Sequence, residues 1–247
     1  MMTDDSVQEV AAQITRWFSD LFDDLVQLAD ESAAAMATAR GRRPTLTSRD
    51  LTAIEPAAGR FLDKHPEHEA AGIILRPGII GAQGEIEWWN READGRLRTL
   101  PFTLTPNTAG FYDFETLEWF SNVITTGRPT LTGPYVDYAG MDKYIITTTV
   151  PLRDGTAAGG PAGAGDIIGA AGCDIEMRAL EPALMPLLRR IDADAALVSQ
   201  HDRIVLGNSG RFLVGNRVTS PPAQAHIVEL PVHELGLRLI AAPAENR

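Results

Sequence analysis

Apolar residues at Val7, Val10, Ile14, Trp17, Leu21, Leu25 and Leu28 recur at intervals of three and four, with Asp, Glu, Gln and Ser between them. That period predicts one amphipathic helix from about Asp5 to Ala37, far beyond the usual ~10–14 residues. Such a helix packs along a whole module or along a partner helix. Two readings therefore stand: it lies across its own sheet, or it makes a homodimer through Val10, Ile14, Trp17 and Leu21. Gly41 and Pro44 in "ARGRRPTLTS" end it, and Thr47 or Ser48 caps a second helix through "RDLTAIEPAAGRFLDKH", bent or split at Pro56.

After Pro66 the pattern changes. "AAGIILRPG", "GEIEWWNRE" and "GRLRTLPFTL" are short strand-like runs separated by Gly, Pro, Asn and Asp, an antiparallel meander. Trp88 and Trp89 alternate faces of a strand, so one points to a pocket or core and the other outward or against the long helix, with nothing to say which. A helical stretch follows around "FETLEWFSNVITTG", then the loop and strand "GPYVDYAGMDKYIITTTVPL". "RDGTAAGGPAGAGD" reads as a long hairpin tip, and "IIGAAGCDI" closes the sheet. From Glu176 a helix through "MRALEPALMPLLRRI" and the strands "AALVSQ", "RIVLGN", "VTSPP…HIVELPV" and "LGLRLIAAP" make a smaller module, with a turn at His201 and Asp202. The fold class is α+β: helices over 1–65, one module over 66–175 and a second over 176–247.

Composition narrows the function. An apolar share of 44% with 22% charged suits a globular chain, and a formal charge of −11 argues against a nucleic-acid partner. The basic run Arg40, Arg42 and Arg43 reads as a solvated loop between helices. The single cysteine, Cys173, excludes an intramolecular disulfide framework and a multi-cysteine zinc site, and its apolar strand makes it a buried, inert thiol. His65, His68, His201, His226 and His233 are scattered, and the proline in "HPEH" breaks helical spacing between the first two, so neither a metal nor a cofactor is expected. The acidic start "MMTDDSVQEV" lacks the form of a signal peptide and no long apolar run spans a bilayer; a cytoplasmic protein is the expectation.

The candidate chemistry lies in "YDFETLEWF", "GPYVDYAG" and "IGAAGCDI". With the long helix and the two modules, these stretches resemble the double-module Cache sensors, in particular those that bind amino acids and amines. The resemblance implies PAS-like modules and places Tyr112 at the family's leading aromatic position. It places Trp119 and Phe120 at the Trp-Tyr pair, Tyr135 and Asp137 at the Tyr-x-Asp loop, and Asp174 at the final aspartate. The departure is Leu117, where amino-acid sensors hold the ligand's carboxylate with an arginine. Two carboxylates and an aromatic box are retained, which suits an ammonium group through charge-assisted hydrogen bonds and cation–π contact. The resemblance thus implies a non-enzymatic sensor of an amine-like small molecule that reports to a signalling partner protein. Alternatives are a carboxylate or amino acid held by Lys143, Arg98 or backbone amides, an enzyme using Asp137 and Asp174 as acid and base, and a dimeric interaction protein with a vestigial pocket.

Overall fold

The computed structural model describes residues 4–43, 45–92, 94–138, 142–155 and 165–244. Helix α1 (Asp4–Arg42) is a single 39-residue element, about 58 Å long at 1.5 Å per residue. It passes Gly41 rather than ending before it. Met36 is buried on its inner face and Arg40 reaches Asp154 across 2.6 Å, so the last turns are anchored by packing and by a cation suited to a helix C-terminus. The second helix is split as Pro56 requires, into α2 (Ser48–Leu51), a 3₁₀ turn (Thr52–Ile54) and α3 (Glu55–Lys64), with the proline in α3's first turn.

Six strands form the first sheet: β1 (Ala70–Leu75), β2 (Glu85–Arg91), β3 (Leu97–Thr99), β4 (Thr130–Val136), β5 (Tyr144–Arg153) and β6 (Ile167–Glu176). They are antiparallel in the order β3-β2-β1-β6-β5-β4. β3 is shorter than its sequence run suggests, since the strand ends just before Pro101, which cannot donate to a ladder. The chain after it leaves the sheet, and a 3₁₀ turn (Phe114–Thr116) leads into α4 (Glu118–Thr126). Gly127 closes α4 in the left-handed region, φ 67°. Of the Gly/Ala-rich hairpin tip, residues 156–164 lie outside the described residues.

Helix α5 (Met177–Leu188) links to the second sheet, β7 (Asp194–Val198), β8 (Ile204–Gly207), β9 (His226–Glu229) and β10 (Arg238–Ala242), in the order β8-β7-β10-β9. Pro182 and Pro186 stay inside α5 because both face outward, where the carbonyls they strand are open to water. Asp202 turns the β7–β8 connection at φ 60°.

The strand period of two divides the first sheet into two faces. Ala71, Ile73, Leu75, Trp89, Cys173 and Ile175 face α1 and α3 in the main core. Ala70, Ile74, Trp88 and Ala170 face the other way, into an aromatic cluster under α4. Trp88 therefore belongs to the site side and Trp89 to the core. Helix α1 meets β1, β5 and β6 of the first module and α5 and β9 near the second, serving both as a spine. Val10, Ile14 and Leu21 are at most 1% exposed, and Trp17 packs against the same core. The seam proposed for a dimer is thus consumed within the chain; a dimer along α1 has only its outer, polar face to use. Among the described residues no helix is long and apolar enough to cross a membrane.

Candidate functional site

On the face of the sheet away from α1, Ile74, Ile86, Trp88, Phe102, Tyr112, Trp119, Tyr135, Asp137, Thr147 and Asp174 enclose a narrow cavity of about 20 Å³. That is room for about one water, so a small molecule enters only as the aromatic walls part. Strand pairing brings its floor together: Asp174 on β6 stands between Ala70 on β1 and Thr147 on β5. Gly172 lies two residues earlier on the same face, and a Cβ there would stand 3.2 Å from the Trp88 ring and 2.5 Å from the Thr148 carbonyl oxygen. The bare position lets the Trp88 indole lie across β6, where its Nε1–H donates to Asp174 Oδ2 at 2.9 Å.

The other oxygen of Asp174 accepts from Thr147 Oγ1 at 2.6 Å. Since that hydroxyl's proton is committed, Tyr135 OH, 2.7 Å from Thr147 Oγ1, donates to it, and a chain of donors runs Tyr135 to Thr147 to Asp174. Tyr135 reaches inward because β4 bulges between Thr132 and Tyr135, which re-aims the side chain. Asp137, 7% exposed, sits just past β4 in a loop closed by its own backbone: its N–H donates to the Lys143 carbonyl (3.0 Å) and its carbonyl accepts from Asp142 (2.7 Å). From the opposite side the loop after β3 supplies Phe102 and Tyr112, whose rings are 4.9 Å apart, while α4 supplies Trp119.

Complete burial pushes the Asp174 carboxyl up to about 7; hydrogen bonds from Thr147 and Trp88 pull it down, and the negative charges of Asp137 and Glu69 add to the rise. Burial also raises the Tyr112 and Tyr135 phenols well above their ordinary range, with Asp137 and Asp174 reinforcing it, so both stay neutral donors. The cavity is a low-dielectric chamber whose fixed charges are negative and whose walls are aromatic.

Five of the seven residues singled out in the sequence, Tyr112, Trp119, Tyr135, Asp137 and Asp174, line this cavity. Phe120 does not: it lies in the cluster behind the wall, edge-on to Phe114 at 4.9 Å and to Trp119 at 6.0 Å. Leu117, at the start of α4, lines a neighbouring open cleft with Thr132, Pro134, Tyr144 and, from the second module, Arg203 and Gly215; Trp119 and Tyr135 border both spaces. The other cations suggested for a ligand carboxylate point elsewhere. Lys143 is engaged by Glu69, with Glu176 3.9 Å away, and Arg98 pairs with Glu92 at 3.2 Å on the exposed side of β3. Sequence reasoning missed Thr147 and Arg203; the alternation of β5 could have flagged the first, but only tertiary structure brings the second near. Cys173 is fully buried with its thiol raised by burial, on the core side of β6 and away from the cavity.

The fold is a two-module α+β domain on a helical spine. No family model matches the chain. Solved structures of the same architecture do. The ligand-binding domain of the Pseudomonas fluorescens chemoreceptor CtaA in complex with L-valine is 16% identical, covering 98% of this chain and 95% of that one at a TM-score of 0.58. A methyl-accepting chemotaxis protein X is 16% identical over 97% of each chain at 0.55. The ligand-binding domain of the Pseudomonas aeruginosa PAO1 amino-acid chemoreceptor PctC in complex with GABA is 19% identical, covering 95% and 96% at 0.53. At such identities the likeness establishes the fold, and it does so along nearly the whole chain.

Proposed function

We propose that the chain is a non-enzymatic sensor domain that binds a small amine-bearing molecule in the cavity of the first module and passes the event to a signalling partner protein. One observation carries the reading: two buried carboxylates, Asp137 and Asp174, share a cavity walled by Tyr112, Trp119 and Tyr135. An ammonium offers charge-assisted hydrogen bonds to the two carboxylates and a positive face to the rings. Both oxygens of Asp174 are already held by Trp88 and Thr147, which suits a fixed counter-ion better than a general base that must swing to a substrate. The solved neighbours described with L-valine and with GABA hold ligands that bear an amine, in keeping with this assignment.

A second reading has its own support. Trp119 Nε1 is buried with no hydrogen-bond partner among the described residues, and Arg203 borders the adjoining cleft. Together they could take a carboxylate at the far end of an amino acid, replacing the arginine that Leu117 lacks. Titration calorimetry with amines, amino acids and amine-free carboxylates tests both. Amine-bearing ligands bind, and Asp137→Ala and Asp174→Ala each abolish binding; binding confined to amine-free carboxylates, or retained in both variants, sinks the proposal.

A further inference from the structure

The corner between α3 and β1 carries a second cluster, unrelated to the cavity. His65 ends α3, Pro66 turns the chain, and His68 N–H donates to the His65 carbonyl at 3.0 Å. The proline that removes helical spacing between the two histidines is what folds them onto each other: their ring centroids are 5.5 Å apart. Glu67 lies between, its Oε1 3.6 Å from His65 Nδ1 and 3.5 Å from His68 Nδ1. One donor atom from each of the three residues falls within 4.8 Å of the others.

We propose that His65, Glu67 and His68 bind a first-row divalent transition ion, Zn²⁺ foremost, with Asp24 orienting His65 from behind. Two donors on a tetrahedral ion with bonds of about 2.0–2.1 Å stand roughly 3.3 Å apart, close to the 3.5 and 3.6 Å from Glu67 to each histidine. Glu67 reaches both imidazoles only at the long end of a hydrogen bond, 3.5 and 3.6 Å. The His68 side chain is fully buried, yet neither of its ring nitrogens has a hydrogen-bond partner among the described residues. An imidazole buried with only that long contact calls for an explanation, and an ion at Nδ1 gives this nitrogen a full partner. His65 has the complementary arrangement. Its Nε2 lies 2.7 Å from Asp24 Oδ2 on α1, so with the proton on Nε2 the lone pair of Nδ1 faces the cluster. A carboxylate behind a ligating imidazole is the usual outer support of such sites.

Trp17 and Phe61 pack around the two rings and hold their planes. An open cleft lined by Asp63, Pro66, His68 and Glu69 gives a route from solvent. Two imidazoles and one carboxylate select a transition ion over Mg²⁺ or Ca²⁺, which prefer all-oxygen shells, and three protein ligands leave a position for water.

The test is a competition titration of chelator-stripped full-length protein with Zn²⁺ against a chromophoric chelator, with Co²⁺ as a spectroscopic stand-in. One equivalent of Zn²⁺ binds, and Co²⁺ gives the intense absorption of a tetrahedral site. Glu67→Gln, a half-buried substitution that leaves the fold intact by circular dichroism, and His65→Gln both lose it. Asp24→Asn weakens the affinity by about 10–100-fold. His233→Ala, on a histidine paired with Asp23 on the outer side of α1, changes nothing. Absence of a one-equivalent complex, or one that survives both Glu67→Gln and His65→Gln, overturns the proposal.

Discussion

The state of one side chain, Asp174, governs how the cavity responds to pH. Its carboxyl is raised from 3.8 to about 7 in the folded protein, chiefly by burial. A raised acid pKa means that the folded state keeps a proton the unfolded state has already released. The group therefore lowers stability progressively as pH rises through the interval from about 4 to about 7, and the loss levels off above. Thermal unfolding between about pH 5 and pH 8 should show that decline in the ligand-free protein, and Asp174→Asn, which cannot ionise, should flatten it. An ammonium ligand reverses the preference, because it binds the ionised form. Its affinity should climb by about tenfold per pH unit below 7 and plateau above, until the amine itself loses its proton. An affinity independent of pH across that window would mean that Asp174 stays protonated against the ligand, leaving Asp137 alone as counter-ion.

At the scale of elements, the site depends on how closely β6 lets its neighbours approach. Gly172→Ala places a Cβ 2.5 Å from the Thr148 carbonyl oxygen and 3.2 Å from the Trp88 ring. The backbone contact pushes β5 from β6 and the ring contact displaces Trp88 from Asp174, so the variant should lose on the order of 1–3 kcal/mol of stability and bind ligand weakly. Denaturant unfolding and calorimetry check the two effects separately. Much at this scale was legible in the sequence. The spacing from Val7 to Leu28 marked the spine, Pro56 marked the split helix, and Trp88-Trp89 marked a strand with two occupied faces, because each rests on local periodicity or local sterics. What escaped was set by distant partners: the extension of α1 to Arg42 depends on Asp154, and the inward turn of the apolar face of α1 depends on a sheet formed later in the chain. The placement of Phe120 behind the wall is a matter of which side of a short helix meets the cavity, and a motif carries no such information. His65 and His68 are the close pair of histidines in the sequence, but the proline between them was read only as breaking their helical spacing, whereas it also makes the turn that joins them.

The whole molecule decides what the other end of a ligand can touch. The cavity belongs to the first module, but the cleft beside it is closed by the second, where Arg203 donates from Nη1 to the Gly215 carbonyl at 2.9 Å and lines the space with Leu117 and Tyr144. The open cleft has a volume of about 430 Å³, enough for a chain running past Trp119 and Tyr135 from one module toward the other. Under the proposed function, a ligand with only an amine would be satisfied in the cavity, whereas one with a carboxylate at its far end would add a charge-assisted contact to Arg203. Arg203→Ala should therefore leave the affinity for a simple amine unchanged and reduce that for the matching amino acid by about 10–100-fold, the range for a hydrogen bond to a charged group. Arg203→Lys, which keeps the charge without the planar fork, should fall between. Paired calorimetric titrations read the difference directly. Equal losses for both ligands would show that Arg203 acts by shaping the cleft. No loss for either would leave Trp119 Nε1 as the donor for the carboxylate, and Trp119→Phe would then carry the discrimination. Selective loss with the amino acid would mean that ligand joins the two modules, the arrangement by which binding in one can be felt in the other.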